Sequence, residues 1–281
     1  MTAARDDRVL PFTRVVGALI LPFLVVAAVL LLGLPGETET HFAWTILPPL
    51  TATLLGSAYA GGIWFFIQVV RQRAWHRVAW GFPAVVVFAT LLGTATALHW
   101  DRFHPGHPSF VTWATLYVLT PPLTLLALIL NVRHDPRTME PGDVEIPAPW
   151  RVSLALVGGA AAVTGLVLFS MPLMLIGTWG WEVTPLTARV VGAVLTLPGF
   201  VNIWMLRDRR WSSFRWVFQA QLVSLAAMLF GLVIRSGDVA WDRPAAWAFV
   251  IGIVASAGVY GVFVGIMEER RRAAAPTRVS E

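Results

Sequence analysis

The chain has 281 residues, of which 57% are hydrophobic and only 13% are charged. Soluble globular domains are roughly 25% charged, so this composition excludes a soluble fold and indicates an integral membrane protein. Because the chain has no cysteine and all 21 basic residues are arginine, disulfides, thiol nucleophiles, Cys-ligated metal centres and Schiff-base lysines are excluded as well.

Eight segments are apolar over the roughly 20 residues that a helix needs to cross the hydrocarbon layer of a membrane. They are 15–34, 46–70, 78–98, 110–132, 152–178, 185–206, 214–234 and 245–267. The first segment is too long for a signal peptide and lacks a following cleavage pattern, so we expect it to be retained. The sequence therefore predicts an all-α membrane protein with eight transmembrane helices.

The arginines are distributed unevenly between the two sides of these segments. Seventeen of the 21 flank one side, and only Arg102, Arg189, Arg235 and Arg243 lie on the other. Because positively charged loops stay in the cytoplasm, both termini are predicted to be cytoplasmic. Arginine without lysine is typical of a GC-rich bacterial genome, which indicates a multi-pass protein of the bacterial inner (plasma) membrane.

The second half of the chain resembles the first half. A shift of 136 positions aligns residues 49–80 with residues 185–216 at ten identities in 32 positions, several of them Arg and Trp in loops. Hydrophobicity alone does not explain such matches. Because four spans return the chain to the side where it started, the sequence predicts two parallel four-helix repeats, residues 1–140 and 141–281. The proline-rich stretch 133–149 between them is predicted to be an extended tether.

Two residue types suggest how the helices pack. Small residues four positions apart let helix backbones approach closely in lipid. Gly56 with Ala60 in the second span, and Gly261 with Gly265 in the eighth, therefore predict that both spans are buried. Most of the 14 tryptophans lie near predicted span ends, which predicts a belt at the headgroup layer.

Three short motifs carry a resemblance to known sequences. They are Phe42-Ala43-Trp44-Thr45 leading into Pro48-Pro49-Leu50-Thr51, Leu98-His99-Trp100-Asp101-Arg102-Phe103, and Asn131-Val132-Arg133. With these motifs the chain resembles a group of uncharacterised multi-span membrane proteins of high-GC bacteria. The resemblance implies a membrane fold and no activity.

Candidate functional residues concentrate on the predicted outer side, because the spans hold almost no charge and no intramembrane carboxylate. The ligand-facing candidates are His99, His104, His107, Glu182, Arg189 and Arg235. After a short insertion, Trp100-Asp101-Arg102 matches Trp241-Asp242-Arg243, so Asp101 with Arg102 and Asp242 with Arg243 are predicted to be structural pairs whose loss lowers stability more than loss of the histidines. The histidine spacing fits no helical metal motif, so no metal ligand is assigned.

These features leave three functions open. The leading hypothesis is binding or transport of a small molecule or lipid between the two halves, where such sites lie in repeat proteins. The alternative is a non-catalytic component of a membrane complex, and a third is a metal-dependent membrane enzyme that uses the outer histidines. The sequence favours a protein that is not an enzyme and assigns no cofactor and no catalytic residue. The expected partners are the lipid bilayer and either a membrane protein or a second copy of the chain, and no nucleic acid.

Overall fold

The structure is a computed structural model, and it describes residues 6–274. Eight long helices account for most of the fold. They are α1 (Pro11–Gly33), α2 (Pro49–Arg71), α3 (Gly81–Leu98), α4 (Pro108–Asn131), α5 (Ala148–Ser170), α6 (Pro185–Asn202), α7 (Trp211–Ile234) and α8 (Pro244–Ala274). All eight are long and apolar enough to cross a membrane. The prediction of an all-helical chain with eight such segments is confirmed.

Proline sets several helix boundaries and corrects two of the predicted spans. A proline stands in the first two positions of α1, α2, α4, α5 and α6, where its missing N–H costs nothing. The second span begins at Pro49 rather than residue 46. The fifth span ends at Ser170 rather than residue 178, because Pro172 cannot continue the helix and disfavours helical backbone at Met171.

The helices pack in sequential pairs and across the middle of the molecule. α1 packs on α2, α3 on α4, α5 on α6 and α7 on α8. Between the first four helices and the last four, α2 packs on α7 and α3 packs on α6. On each side of the bundle, the ends of the first four helices meet the ends of the last four. We call the side that holds residues 6–10 and the linker 132–147 the terminal side, and the opposite side the far side.

The linker is extended, as predicted, but it is held in place by specific contacts. Asp135 pairs with Arg210, Glu140 pairs with Arg77, and Ile146 N donates to Arg209 O at 2.8 Å. These contacts reach both halves of the chain. The linker is therefore an ordered part of the terminal side rather than a loose tether.

Several contacts of the first half recur in the second half at a spacing of 136 residues, or one more. On the terminal side they are the hydrogen bonds Val9 N to Arg73 O and Trp75 N to Asp7 O, matched by Ile146 N to Arg209 O and Trp211 N to Val144 O, all 2.8–3.0 Å long. On the far side the ring pair Trp44–Trp113, with centroids 4.7 Å apart, is matched by Trp181–Phe249 at 4.8 Å. The two halves thus build similar ends on both sides.

The predicted tryptophan belt is wrong for the tryptophans of these recurring contacts. Trp44, Trp75, Trp181 and Trp211 are at most 1% exposed. Their rings pack against other aromatic rings inside the protein, as Trp75 does against Phe82. Only some tryptophans, among them Trp100, Trp241 and Trp247, are exposed enough to reach headgroups.

The prediction that the second and eighth spans are both buried is half right. In α2, 67% of an apolar stretch of 18 residues is buried inside the protein, whereas in α8 only 11% of the corresponding stretch is buried. A Cβ added at Gly61 would lie 2.6 Å from the Ala220 carbonyl oxygen of α7, but Gly261 and Gly265 have no neighbour within 4 Å. Small residues permit close packing but do not require it. Among the long helices, α8 packs mainly against α7.

Candidate functional site

A cavity of about 650 Å³ lies inside the helix bundle, between the two halves. All eight long helices contribute to its wall, which runs from Trp179 and Ala245 on the far side to Gly81 and Val217 towards the terminal side. Among residues 6–274, no charged side chain and no histidine lines it. A wall of this kind suits an apolar, uncharged molecule, because a buried charge without a partner is costly.

Three tyrosines bring polar groups to this wall. The hydroxyls of Tyr59 on α2 and Tyr117 on α4 are 2.6 Å apart. In the second half, Asn202 Nδ2 donates to the Tyr260 hydroxyl at 2.8 Å and to the Leu154 carbonyl oxygen at 2.9 Å. These hydrogen bonds join α2 to α4, and α6 to both α5 and α8.

Two residues of the described wall have a buried polar atom without a hydrogen-bond partner: Trp179, whose Nε1 lies towards the far side, and Gln221 on α7. The Nε2 atom of Gln221 lies 3.5 Å from Asn202 Oδ1, a long and weak contact. Its Oε1 atom is buried and has no hydrogen-bond partner. Since Gln221 lines the cavity, this acceptor is available to a molecule inside it.

The cavity opens sideways between α5 and α8. Five of its wall residues are exposed, and all five lie on these two helices: Val157, Ala160, Thr164, Ala248 and Gly252. In the first half α1 packs against α4, but in the described residues α5 and α8 show no comparable packing. At its two ends the gap is bounded by Trp150 against Phe263 and by Trp181 against Phe249.

The far-side histidines do not form a common site. His99 Nε2 lies 2.7 Å from Arg189 Nη1, so this contact joins the end of α3 to α6. Burial lowers the pKa of His99, and the charge of Arg189 lowers it further. His107 caps α4, because its Nδ1 atom accepts from Ser109 N at 3.2 Å. In residues 6–274, no group of three or more His, Asp or Glu side chains is placed to hold a metal ion.

The other far-side candidates also lie apart. Glu182 forms an ion pair with Arg243, whose Nη1 also donates to the Trp179 carbonyl oxygen at 3.0 Å. Asp242 is exposed and Arg235 is half-buried at the end of α7. Among residues 6–274, the contact between His99 and Arg189 is the one side-chain contact between two of the proposed ligand-facing residues. A backbone hydrogen bond of 2.9 Å from His107 N to His104 O joins two more.

Asp101 and Arg102 pair with each other at 3.1 Å, and their side chains are 74% and 72% exposed. A pair this exposed contributes about 0–1 kcal/mol. The geometry therefore favours the reverse of the ranking expected from the sequence. We predict that Asp101→Asn leaves thermal unfolding in detergent nearly unchanged, whereas His107→Ala lowers stability by about 1 kcal/mol through loss of the α4 cap. A larger loss for Asp101→Asn would restore the original ranking.

A polar chain on the terminal side joins the two halves. Asp7 accepts from His76 N at 3.1 Å and contacts His76 Nδ1. Asp143 accepts from Ser212 N at 2.9 Å and from Ser212 Oγ at 2.6 Å. His76 Nε2 and Ser212 Oγ then meet at 3.0 Å, although they are 136 positions apart in the chain. Asp7 thus binds His76, and Asp143 binds Ser212, so each of the two residues that meet in the middle has its own aspartate partner.

Asp7, His76 and Ser212 are the residue types of a Ser-His-Asp triad, but their geometry is not catalytic. A nucleophilic serine gives its hydroxyl proton to the histidine, whereas Ser212 donates it to Asp143. His76 is 2% exposed and Ser212 is 6% exposed, and neither lines the described cavity. The chain of contacts is therefore structural.

A buried ion cluster lies beside this chain. Arg210 donates to Asp135 at 2.8 and 2.9 Å and to Asp208 at 2.7 and 2.9 Å. Trp80 Nε1 also donates to Asp208, at 2.7 Å. Arg210, Asp135 and Asp208 are each 5–8% exposed. The cluster connects the linker and the first half, through Trp80, to the loop before α7.

The pKa values of this cluster predict acid sensitivity. Burial raises the pKa of Asp135 and Asp208, but hydrogen bonds and charge from Arg210 outweigh it and hold both below the ordinary range. A carboxyl whose pKa is lowered by folding stabilises the protein above its unfolded pKa of about 4 and loses this contribution as pH falls through the folded value. We predict a falling midpoint of thermal unfolding below about pH 4, and a weaker fall in Asp135→Asn. Equal pH profiles would contradict this prediction.

Sequence reasoning placed a binding site between the two halves but did not identify the residues that line the cavity, and it missed the terminal-side contacts. The cavity depends on how far apart α5 and α8 lie, which no local pattern encodes. The polar chain had a signal, since the shift of 136 positions also pairs Asp7 with Asp143 and His76 with Ser212. Compared with models of known protein families, with curated proteins and with solved structures, the chain matches none.

Proposed function

We propose that this chain is a membrane protein of two similar, parallel four-helix units that binds an apolar small molecule or lipid in the cavity between them. The observation that carries the proposal is an uncharged cavity of about 650 Å³ that opens between α5 and α8 within the membrane-spanning region. Cavities of this size hold drug-sized ligands. The absence of charge in its described wall favours a molecule that partitions into lipid over an ion or a water-soluble metabolite.

The recurring contacts support the two-unit organisation. Cross-packing of α2 with α7 and of α3 with α6 is what a two-fold relation between units requires, since each pair joins a second helix to a third. The contact of His76 with Ser212 then lies at the axis. In this alignment the short helical turn Trp100–Arg102 corresponds to Ser236–Asp238. This alignment needs no insertion. It replaces the match of Asp101 and Arg102 to Asp242 and Arg243, which did need one.

Two substitutions on α8 test the binding function. Gly252 lines the open side of the cavity, and Gly258 lies on the same helix outside it. A Cβ at either position would have no neighbour within 4 Å, so phenylalanine is tolerated at both. Lipid extraction and mass spectrometry should find a retained apolar compound in the wild type and in Gly258→Phe, and several-fold less in Gly252→Phe. Equal retention in the two variants, or none in the wild type, would reject the proposal.

We propose the orientation of the chain in the membrane from the distribution of its arginines. Because the sequence assigns 17 of the 21 arginines to one side of the predicted spans, we expect tags at either terminus and in the linker to be reached only from the cytoplasm. Protease treatment of oriented membrane vesicles measures this. A linker tag that is cleaved from outside intact cells would contradict the assignment.

A second function is favoured by the exposed face of α8. Gly258, Gly261 and Gly265 have no neighbour within 4 Å, and small residues allow another helix to approach closely. This face suits packing against a partner helix or a second copy, as a non-catalytic component of a membrane complex would use it. Gly261→Phe should then abolish a complex seen by crosslinking in membranes while leaving ligand retention unchanged.

A further inference from the structure

We infer that the cavity binds a neutral lipid that carries a hydroxyl group, with the hydroxyl at Gln221 and the apolar body extending towards the gap between α5 and α8. This inference rests on the proposed function and specifies its ligand. It is carried by the unpartnered amide atom of Gln221, the uncharged wall and the side opening.

The position of the opening indicates that the ligand enters from the bilayer. The exposed wall residues Val157, Thr164 and Gly252 belong to helices that cross the membrane, so the gap faces acyl chains rather than water. The gap is bounded at one end by Trp150 with Phe263 and at the other by Trp181 with Phe249. A molecule that enters here arrives from the bilayer and passes no charged residue of the described wall.

The amide of Gln221 selects the polar group of the ligand. An unpartnered polar atom in an apolar, water-poor site carries a free-energy cost that a ligand hydrogen bond removes. The amide nitrogen of Gln221 faces Asn202 Oδ1, so the free atom is the amide oxygen, an acceptor. A hydroxyl group can donate to it.

The extent of the cavity selects the shape of the ligand. Along α8 the wall runs from Ala245 to Tyr260, a span of about 22 Å at the helical rise of 1.5 Å per residue. This is more than half of the roughly 30 Å hydrocarbon thickness. An elongated chain of the prenyl-alcohol kind fits this shape, while a charged phospholipid headgroup finds no counter-charge in the wall.

Competition between an alcohol and its ether tests the inference. The probes are geranylgeraniol and its methyl ether, which has no hydroxyl donor, measured by displacement of labelled geranylgeraniol from the purified full chain. The wild type should bind the alcohol roughly five- to tenfold more tightly than the ether, as expected for one hydrogen bond. Gln221→Leu should bind both probes equally. Gln219→Leu is the control, because Gln219 lies on the same helix and does not line the cavity.

The outcomes separate this inference from the proposed function. Because Gln221 makes only the 3.5 Å contact to Asn202, its replacement should leave the thermal midpoint nearly unchanged, which excludes misfolding as a cause. Equal binding of alcohol and ether by the wild type, or a preference that persists in Gln221→Leu, would overturn the inference, since a water molecule would then satisfy Gln221. Failure of both probes to bind would also overturn it. Retention of another apolar compound that Gly252→Phe loses would still support the proposed function.

Discussion

Replacing Arg210 by methionine is expected to destabilise the protein by about 3–5 kcal/mol, because it leaves two buried carboxylates without their counter-charge. Arg210 holds Asp135 and Asp208 through four hydrogen bonds of 2.7–2.9 Å, and all three residues are 5–8% exposed. Like-charge repulsion between the carboxylates adds to the cost of burying them. The affected contacts join the linker, the start of α3 and the start of α7, so the loss should loosen the terminal side as a whole.

The adjacent arginine provides a matched control for this substitution. Arg209 pairs with Glu145 at 3.1 Å, but the two side chains are 62% and 50% exposed, so Arg209→Met should cost about 0–1 kcal/mol. Thermal unfolding of the purified variants in one detergent measures both effects. If Arg210→Met unfolds within a degree or two of Arg209→Met, the cluster does not stabilise the fold.

Leucine at Gly192 is expected to cost about 1–3 kcal/mol or more, since the backbones of α5 and α6 touch at this point. A Cβ on Gly192 would lie 2.5 Å from the Gly165 carbonyl oxygen and 2.9 Å from Phe169 N. Both neighbours are backbone atoms, so no side-chain rotation relieves the clash. In lipid, close packing of this kind supplies much of the attraction between helices.

Gly159 on α5 is the control for the Gly192 prediction. A Cβ at Gly159 has no neighbour within 4 Å, so Gly159→Leu should be neutral or slightly stabilising through higher helix propensity. Unfolding in a series of detergent concentrations compares the two. Equal stability of the variants would mean that α5 and α6 are further apart than the structure places them.

Much of the fold could be predicted because hydropathy and length report directly on membrane spans. All eight spans were identified, and two of the boundary errors fell at prolines, where a helix starts at Pro49 or stops before Pro172 although the apolar run continues. The eighth helix also runs to Ala274, beyond its predicted end at residue 267. These features depend on nearby sequence.

The candidate site could not be predicted to the same degree, because it depends on contacts between distant residues. The sequence correctly grouped the candidate histidines on one side of the bundle, but it could not show that they lie apart. His107 caps α4, whereas His99 contacts Arg189. Gln221 was one of several buried polar residues in the sequence. Its position in the cavity wall with an unpartnered amide oxygen depends on contacts between helices that are distant in the sequence.

An electron cryomicroscopy map of the full chain in nanodiscs made from its native lipids would show whether the cavity holds a lipid. We expect an elongated density in the cavity between the two halves, reaching from the gap between α5 and α8 to Gln221, with α5 and α8 still apart. An empty cavity, with α5 packed against α8 in the way that α1 packs against α4, would contradict this expectation.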